Sequence, residues 1–142
     1  MNIQEIIKYI GIESRANSRV LNIKSLMLLL NAVDNNYLVK CYNADMSEKY
    51  LEKSWHSDRG DYYNLAISIS DKVEYLSVLD IKNILTDALN TGVMKGYKGG
   101  EFPITNNTLL YVRNYGEVGF GIVDVELIDN IVIFHVVNDY DL

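Results

Sequence analysis

Arg59-Gly60-Asp61-Tyr62 is the first run of residues in this chain with chemistry in it. Glycine lets a chain turn sharply or approach a ligand closely. An arginine beside it can fork onto a phosphate or a carboxylate. The structural reading is that Arg59 pairs with Asp58 or Asp61 in an irregular loop, with Trp55 and His56 just ahead. The second run is Lys95-Gly96-Tyr97-Lys98-Gly99-Gly100-Glu101-Phe102. Successive backbone N–H groups in such a loop can cradle an anion, and two lysines add charge. It is no Walker A loop, because the Gly-Lys-Ser/Thr ending is absent, and it follows a helix pattern where a dinucleotide fingerprint opens one. The structural reading is a helix exit with glycines serving tight turns. A third run, 114–121, places three glycines between two strand patterns and reads as a turn or bulge, with a binding loop as the alternative.

Sets of residues able to catalyse are thin. His56 and His135 are the only histidines. His135 lies inside an apolar strand pattern and reads as a core or sheet-face residue. His56 with Asp58 or Asp61 could make a base, but no motif ties a nucleophile to it. Cys41 falls in a strand pattern and reads as a small buried hydrophobe. Two distant histidines, one cysteine and scattered acids match neither zinc nor calcium patterns. The expectation is a non-enzymatic protein with no metal and no cofactor.

These runs sit in 142 residues, 49% hydrophobic and 23% charged, which suits one globular domain spanning 1–142. Net charge is -6, so direct nucleic-acid binding is not expected. One cysteine excludes an internal disulfide. No apolar run approaches the roughly 18 residues of a membrane span. The start lacks a basic, then apolar, leader, so an intracellular, cytoplasmic protein is expected. Eleven tyrosines are an excess. Tyrosine is amphipathic and enriched at interfaces, and an acidic, tyrosine-rich face would suit a basic partner, such as a protein that itself binds nucleic acid. The alternative is that tyrosine, like the abundant Asn, Ile and Lys, follows AT-rich coding.

The elements that must position these residues follow from hydrophobic spacing. Ile3, Ile6, Ile7 and Ile10 predict a helix over 3–10 stopped by Gly11, then a polar loop over 14–19. Asn22 caps a second helix whose stripe is Ile23, Leu26, Met27 and Leu30. A strand follows over 38–42, and 43–62 is irregular. Alternation over 65–70 predicts a half-buried strand. Ser77-Val78-Leu79-Asp80 resembles a capping box ahead of an amphipathic helix running to Gly92. Strands over 108–112, 121–128 and 131–137 close the chain, the last two joined by the hairpin turn Asp129-Asn130. The fold class is α+β: N-terminal helices and one central helix packed on a mainly antiparallel sheet ending in a hairpin.

One order of segments resembles a group of small, uncharacterised phage and prophage proteins. It runs Arg59-Gly60-Asp61-Tyr62, Leu65-Ala66, a helix, Gly96-Tyr97-Lys98-Gly99-Gly100-Glu101-Phe102, a strand, then Asn114-Tyr115-Gly116. The resemblance covers about residues 55 to 125, and the glycine-rich block is its most specific part. It departs from the group's pattern at Leu109-Leu110-Tyr111-Val112-Arg113, where a proline and a tryptophan are usual, and in the spacing of Trp55 from Arg59. It implies a phage origin and brings no activity. The expectation is a phage accessory protein that binds and inhibits a host factor of antiviral defence, such as a CRISPR nuclease, in the bacterial cytoplasm. The expected contact face is Trp55, Arg59, Gly60, Tyr62, Lys95, Tyr97, Lys98, Gly99 and Gly100. The alternative is sequestration of a phosphate-bearing nucleotide, with Arg59, Lys95 and Lys98 on the phosphate and Tyr62 or Tyr97 stacking on the base.

Overall fold

The computed structural model describes residues 1–58, 64–96, 98–114 and 116–142. Arg59, Gly60, Asp61, Tyr62, Tyr97 and Tyr115, which carry part of the expected site, lie outside the described residues. The elements run α1 (Ile3–Asn17), α2 (Ile23–Leu30), β1 (Leu38–Asn43), β2 (Glu48–Lys49), β3 (Leu51–Ser57), β4 (Leu65–Ile69), α3 (Val78–Thr91), β5 (Val93–Lys95), β6 (Glu101–Pro103), β7 (Leu110–Arg113), β8 (Phe120–Ile128) and β9 (Ile131–Asn138). A 3-10 turn, Asp139–Asp141, follows. Seven strands form one sheet in the order β2-β1-β9-β8-β7-β4-β3, and β5 pairs with β6 as a separate hairpin. The pairs β1–β9 and β4–β7 are parallel, and the remaining pairs are antiparallel. The fold is therefore α+β, as the hydrophobic spacing predicts, with a mixed sheet. The parallel pairs come from strands far apart in the sequence, which local periodicity does not register.

The first helix is longer than its spacing suggests. It runs through Gly11 to Asn17, so the predicted stop and the loop over 14–19 are corrected. A mid-helix glycine costs about 1 kcal/mol, too little to end a helix whose face is otherwise anchored. Gly11 and Ser14 are both buried on the same side as Ile6 and Ile10. The α1 helix packs near β8 at Ser14, whose hydroxyl lies 3.4 Å from the Val123 carbonyl. Asn22 caps α2 as expected, its Oδ1 accepting from the Ser25 N–H at 2.8 Å. At α3 the capping box is complete: Ser77 Oγ accepts from Asp80 N, and Asp80 Oδ2 accepts from Ser77 N. Gly92 ends that helix in the left-handed region, φ 80.

The stretch 43–62, expected to be irregular, holds β2 and β3. Polar and charged residues alternate weakly there because β2 and β3 are the two edges of the sheet, where one side of the strand meets water. Between β7 and β8 lies a feature with no sequence signature. These strands pair directly only at Tyr111↔Gly121 and Val112↔Phe120. Beyond that point the segment 20–22 threads between them. Leu21 N–H donates to the Ile122 carbonyl at 2.8 Å, and Leu110 N–H donates to the Leu21 carbonyl at 2.9 Å. The connection from α1 to α2 thus acts as a strap across a split in the sheet.

One face of the sheet carries the core. Val132, Phe134 and Val136 of β9, Val39 and Cys41 of β1, and Ile122 and Val125 of β8 join a single buried cluster with Ile6, Ile10, Leu26, Leu29, Ile81 and Leu85 from the three helices. The opposite face is covered over β4, β7 and the start of β8 by a smaller cluster. It is built from Val20, Ala66 and Tyr111, with Leu109 and the C-terminal Leu142 packed against it.

Candidate functional site

Trp55 sits near the end of β3 and is paired in register with Ile67, a core residue. It packs against the main cluster, and its Nε1–H donates to Asp87 Oδ2 of α3 at 2.8 Å. It is therefore half-buried and tied to a helix. Lys95 ends β5, opposite Glu101 of β6, and β5 runs close to β3. The structure thus brings the strands of Trp55 and Lys95 near one another. The glycine-rich block is the tip of the β5–β6 hairpin. Gly99 N–H donates to the Gly96 carbonyl at 3.0 Å, and Gly96 N–H donates to the Gly100 carbonyl at 2.7 Å. Gly99 takes φ 89, which only glycine adopts freely. Two of the N–H groups that an anion would need are therefore engaged in closing the turn. A Cβ on Gly100 would sit 3.4 Å from the Phe102 ring.

The described start of the Arg-Gly loop is anchored by charge. Asp58 is buried, and Arg113 Nη1 reaches its Oδ1 at 3.3 Å. Arg113 also donates through Nε to the Glu117 carbonyl at 2.5 Å. The His56 ring nitrogens lie 3.0 Å from the Ser57 carbonyl and 3.3 Å from the Arg113 carbonyl. Of the two acids that could have oriented His56, Asp58 meets Arg113, and Asp61 lies outside the described residues.

Among the described residues, no buried cluster covers the second face of the sheet over β2, β1 and most of β9 and β8. Side chains opposite to the core positions point there: Lys40 and Tyr42 of β1, Ile133 and His135 of β9, and Asp124 and Glu126 of β8. The registers Tyr42↔His135, Lys40↔Ile133, Glu126↔Ile133 and Asp124↔His135 place them in two adjacent rows. Leu38 and Ile128 are 41% and 49% exposed at one end of the face, which no core residue could be. His135 Nε2 contacts Glu126 Oε1, an ion pair when the imidazole is protonated. Three tyrosines gather at the β1–β2 edge. Tyr50 and Tyr75 meet edge to face at 5.9 Å. The Tyr50 hydroxyl approaches Glu48 Oε2 at 3.4 Å, Lys40 Nζ lies 5.1 Å from the centre of the Tyr75 ring, and Glu48 pairs in register with Tyr42. Partial desolvation, then the Glu48 carboxylate, push the Tyr75 hydroxyl above its ordinary pKa. Glu48 Oε1 is buried, and among the described residues no group meets it in normal hydrogen-bond geometry. Among the described residues of this face, the carboxylates of Glu48, Asp124 and Glu126 accompany the ammonium of Lys40.

Tyr42, Tyr50, Tyr75 and Ile133 are not in the set singled out from motifs. The alternation over 38–42 does separate Lys40 and Tyr42 from Val39 and Cys41. The signal for Tyr50 and Tyr75 is only the tyrosine excess, since neither lies in a recognisable strand pattern. Among the described residues no helix is long and apolar enough to cross a membrane. Compared with family models, with curated proteins and with solved structures, the chain matches none.

Proposed function

We propose that this protein is a non-catalytic phage accessory protein that binds a host protein and blocks it, its target being a component of antiviral defence such as a CRISPR nuclease. The observation that carries the binding reading is the uncovered face of β2, β1, β9 and β8. It combines tyrosines, half-buried aliphatics and an excess of carboxylates on a rigid sheet. Tyrosine supplies large contact area at low entropic cost. Carboxylates favour a basic partner and exclude acidic ones. A basic surface is what a nucleic-acid-binding protein presents, and an acidic protein seated there competes with the nucleic acid. The phage assignment rests on the resemblance of the Arg-Gly, Gly-Tyr-Lys-Gly-Gly and Asn-Tyr-Gly segments. The nucleotide reading has less behind it, because Gly96 and Gly99 direct their N–H groups into the hairpin turn.

Tagged protein expressed in a bacterial host tests the proposal. Wild type and Lys98→Glu should retain a host protein in stoichiometric amount. Ile133→Lys and Tyr42→Ala should lose it while keeping a cooperative melt, with affinity reduced by about tenfold or more per anchor. Retention of the partner by a folded Ile133→Lys variant would refute the placement.

A further inference from the structure

A cleft of about 900 Å³ lies between α1 and α2, closed at one end by the strap and by the turn at 106–109. It stands apart from the open sheet face, and none of the residues argued for above lines it. Its size is that of a small-molecule site. One wall is a ladder on α1. The Tyr9 hydroxyl donates to Glu13 Oε1 at 2.9 Å, and Asn17 Nδ2 donates to Glu13 Oε2 at 2.9 Å. Both donors are neutral. They fix the orientation of the carboxylate and leave its charge uncompensated, and among the described residues no cation pairs with it. The ladder occupies the last turns of α1, where the helix dipole adds negative potential. The opposing wall is mixed: Met27 and Leu28 of α2 form an apolar strip near Leu21, flanked by Lys24, Ser25 and Asn31.

We infer that this cleft is a binding site for a small organic amine, an ammonium group carried on an apolar or aromatic body. The ammonium meets Glu13, and the body lies along Met27 and Leu28. An anionic ligand is disfavoured on the same evidence. The N-terminus of α2 opens on the cleft, but its first N–H groups are taken: Ile23 by the Thr108 carbonyl, Lys24 by the Asn106 carbonyl, Ser25 by Asn22 Oδ1 and Leu26 by the Asn22 carbonyl. Lys24 at the rim is the one lysine among the lining residues. The Tyr9 hydroxyl titrates above its ordinary value, held protonated by its hydrogen bond to Glu13 and then by the charge of that carboxylate.

Three phenols that differ only in their end group provide the test: tyramine, neutral 4-ethylphenol and anionic 3-(4-hydroxyphenyl)propionate. Each is titrated into labelled full-length protein and followed by amide chemical shifts. Tyramine should move the amides of Glu13, Asn17, Leu28 and Lys24 at lower concentration than the other two. Glu13→Gln should weaken tyramine by about tenfold, the scale of one charge-assisted hydrogen bond, and leave 4-ethylphenol unchanged. Equal response to all three phenols, no response to any, or tyramine binding that survives Glu13→Gln would overturn the inference. If Glu13→Gln fails to fold, the contrast between tyramine and 4-ethylphenol on wild type decides the matter alone.

Discussion

Cys41 shows how placement sets the chemistry of a single residue. It is fully buried in β1 beside Phe134, and burial pushes its thiol from 9.0 up to about 12, with the charge of Lys49 opposing the shift. A thiol held neutral is a poor nucleophile. Thiol titration with a chromogenic disulfide at pH 8 should therefore find no reactive group until denaturant is added. The sign of the linkage follows. The unfolded thiol ionises near pH 9 while the native one stays protonated, so this group's stabilising contribution is complete below pH 9 and lost as pH rises toward 12. Fast labelling of native protein would contradict the burial. The inward position of Cys41 was legible in the alternation of 38–42. The Arg113–Asp58 contact was not, because its partners are 55 residues apart and other candidate partners stood closer in the sequence. The tie of Trp55 to α3 through Asp87 was not legible either, since 32 residues separate the two.

At the scale of elements, local signals succeeded where side chain and backbone meet within a few residues. The capping box at Ser77 is such a case. Ser77→Ala should lower the stability of the protein by about 1 kcal/mol, read as a shift of the urea midpoint at unchanged slope. Burial would raise the Asp80 carboxyl, but hydrogen bonds from Ser77 and the nearby Lys53 outweigh it and hold the carboxyl below its ordinary 3.8. The cap's ionic part is thus present above that value and fades as pH falls through the lower folded value. A midpoint unchanged by Ser77→Ala at pH 7 would show that α3 is held by packing alone. Local signals failed at α1, where Gly11 looked like a stop and the helix instead runs on to Asn17. They could not reveal the strap between β7 and β8, since its hydrogen bonds join residue 21 to residues 110 and 122. Gly121 belongs to the same construction. A Cβ there would come within 2.7 Å of Val20 on the strap and 2.9 Å of Leu142 in the tail.

At the scale of the whole molecule, three helices share one face of a seven-stranded sheet, and the strap and tail cover only part of the other. The fold class was legible because helix and strand periods are distinct along the chain. The uncovered face was not, because it depends on which helix packs on which side. We propose that this face, rather than the β5–β6 hairpin tip, meets the partner. Site-specific photo-crosslinking in host cells tests it most directly, with a photoreactive residue placed at Tyr42, Ile133, Trp55 or Lys98 in turn. One host protein should crosslink from positions 42 and 133, and none from 55 or 98. Crosslinks from 55 or 98 with none from 42 and 133, or none from any position, would contradict the placement.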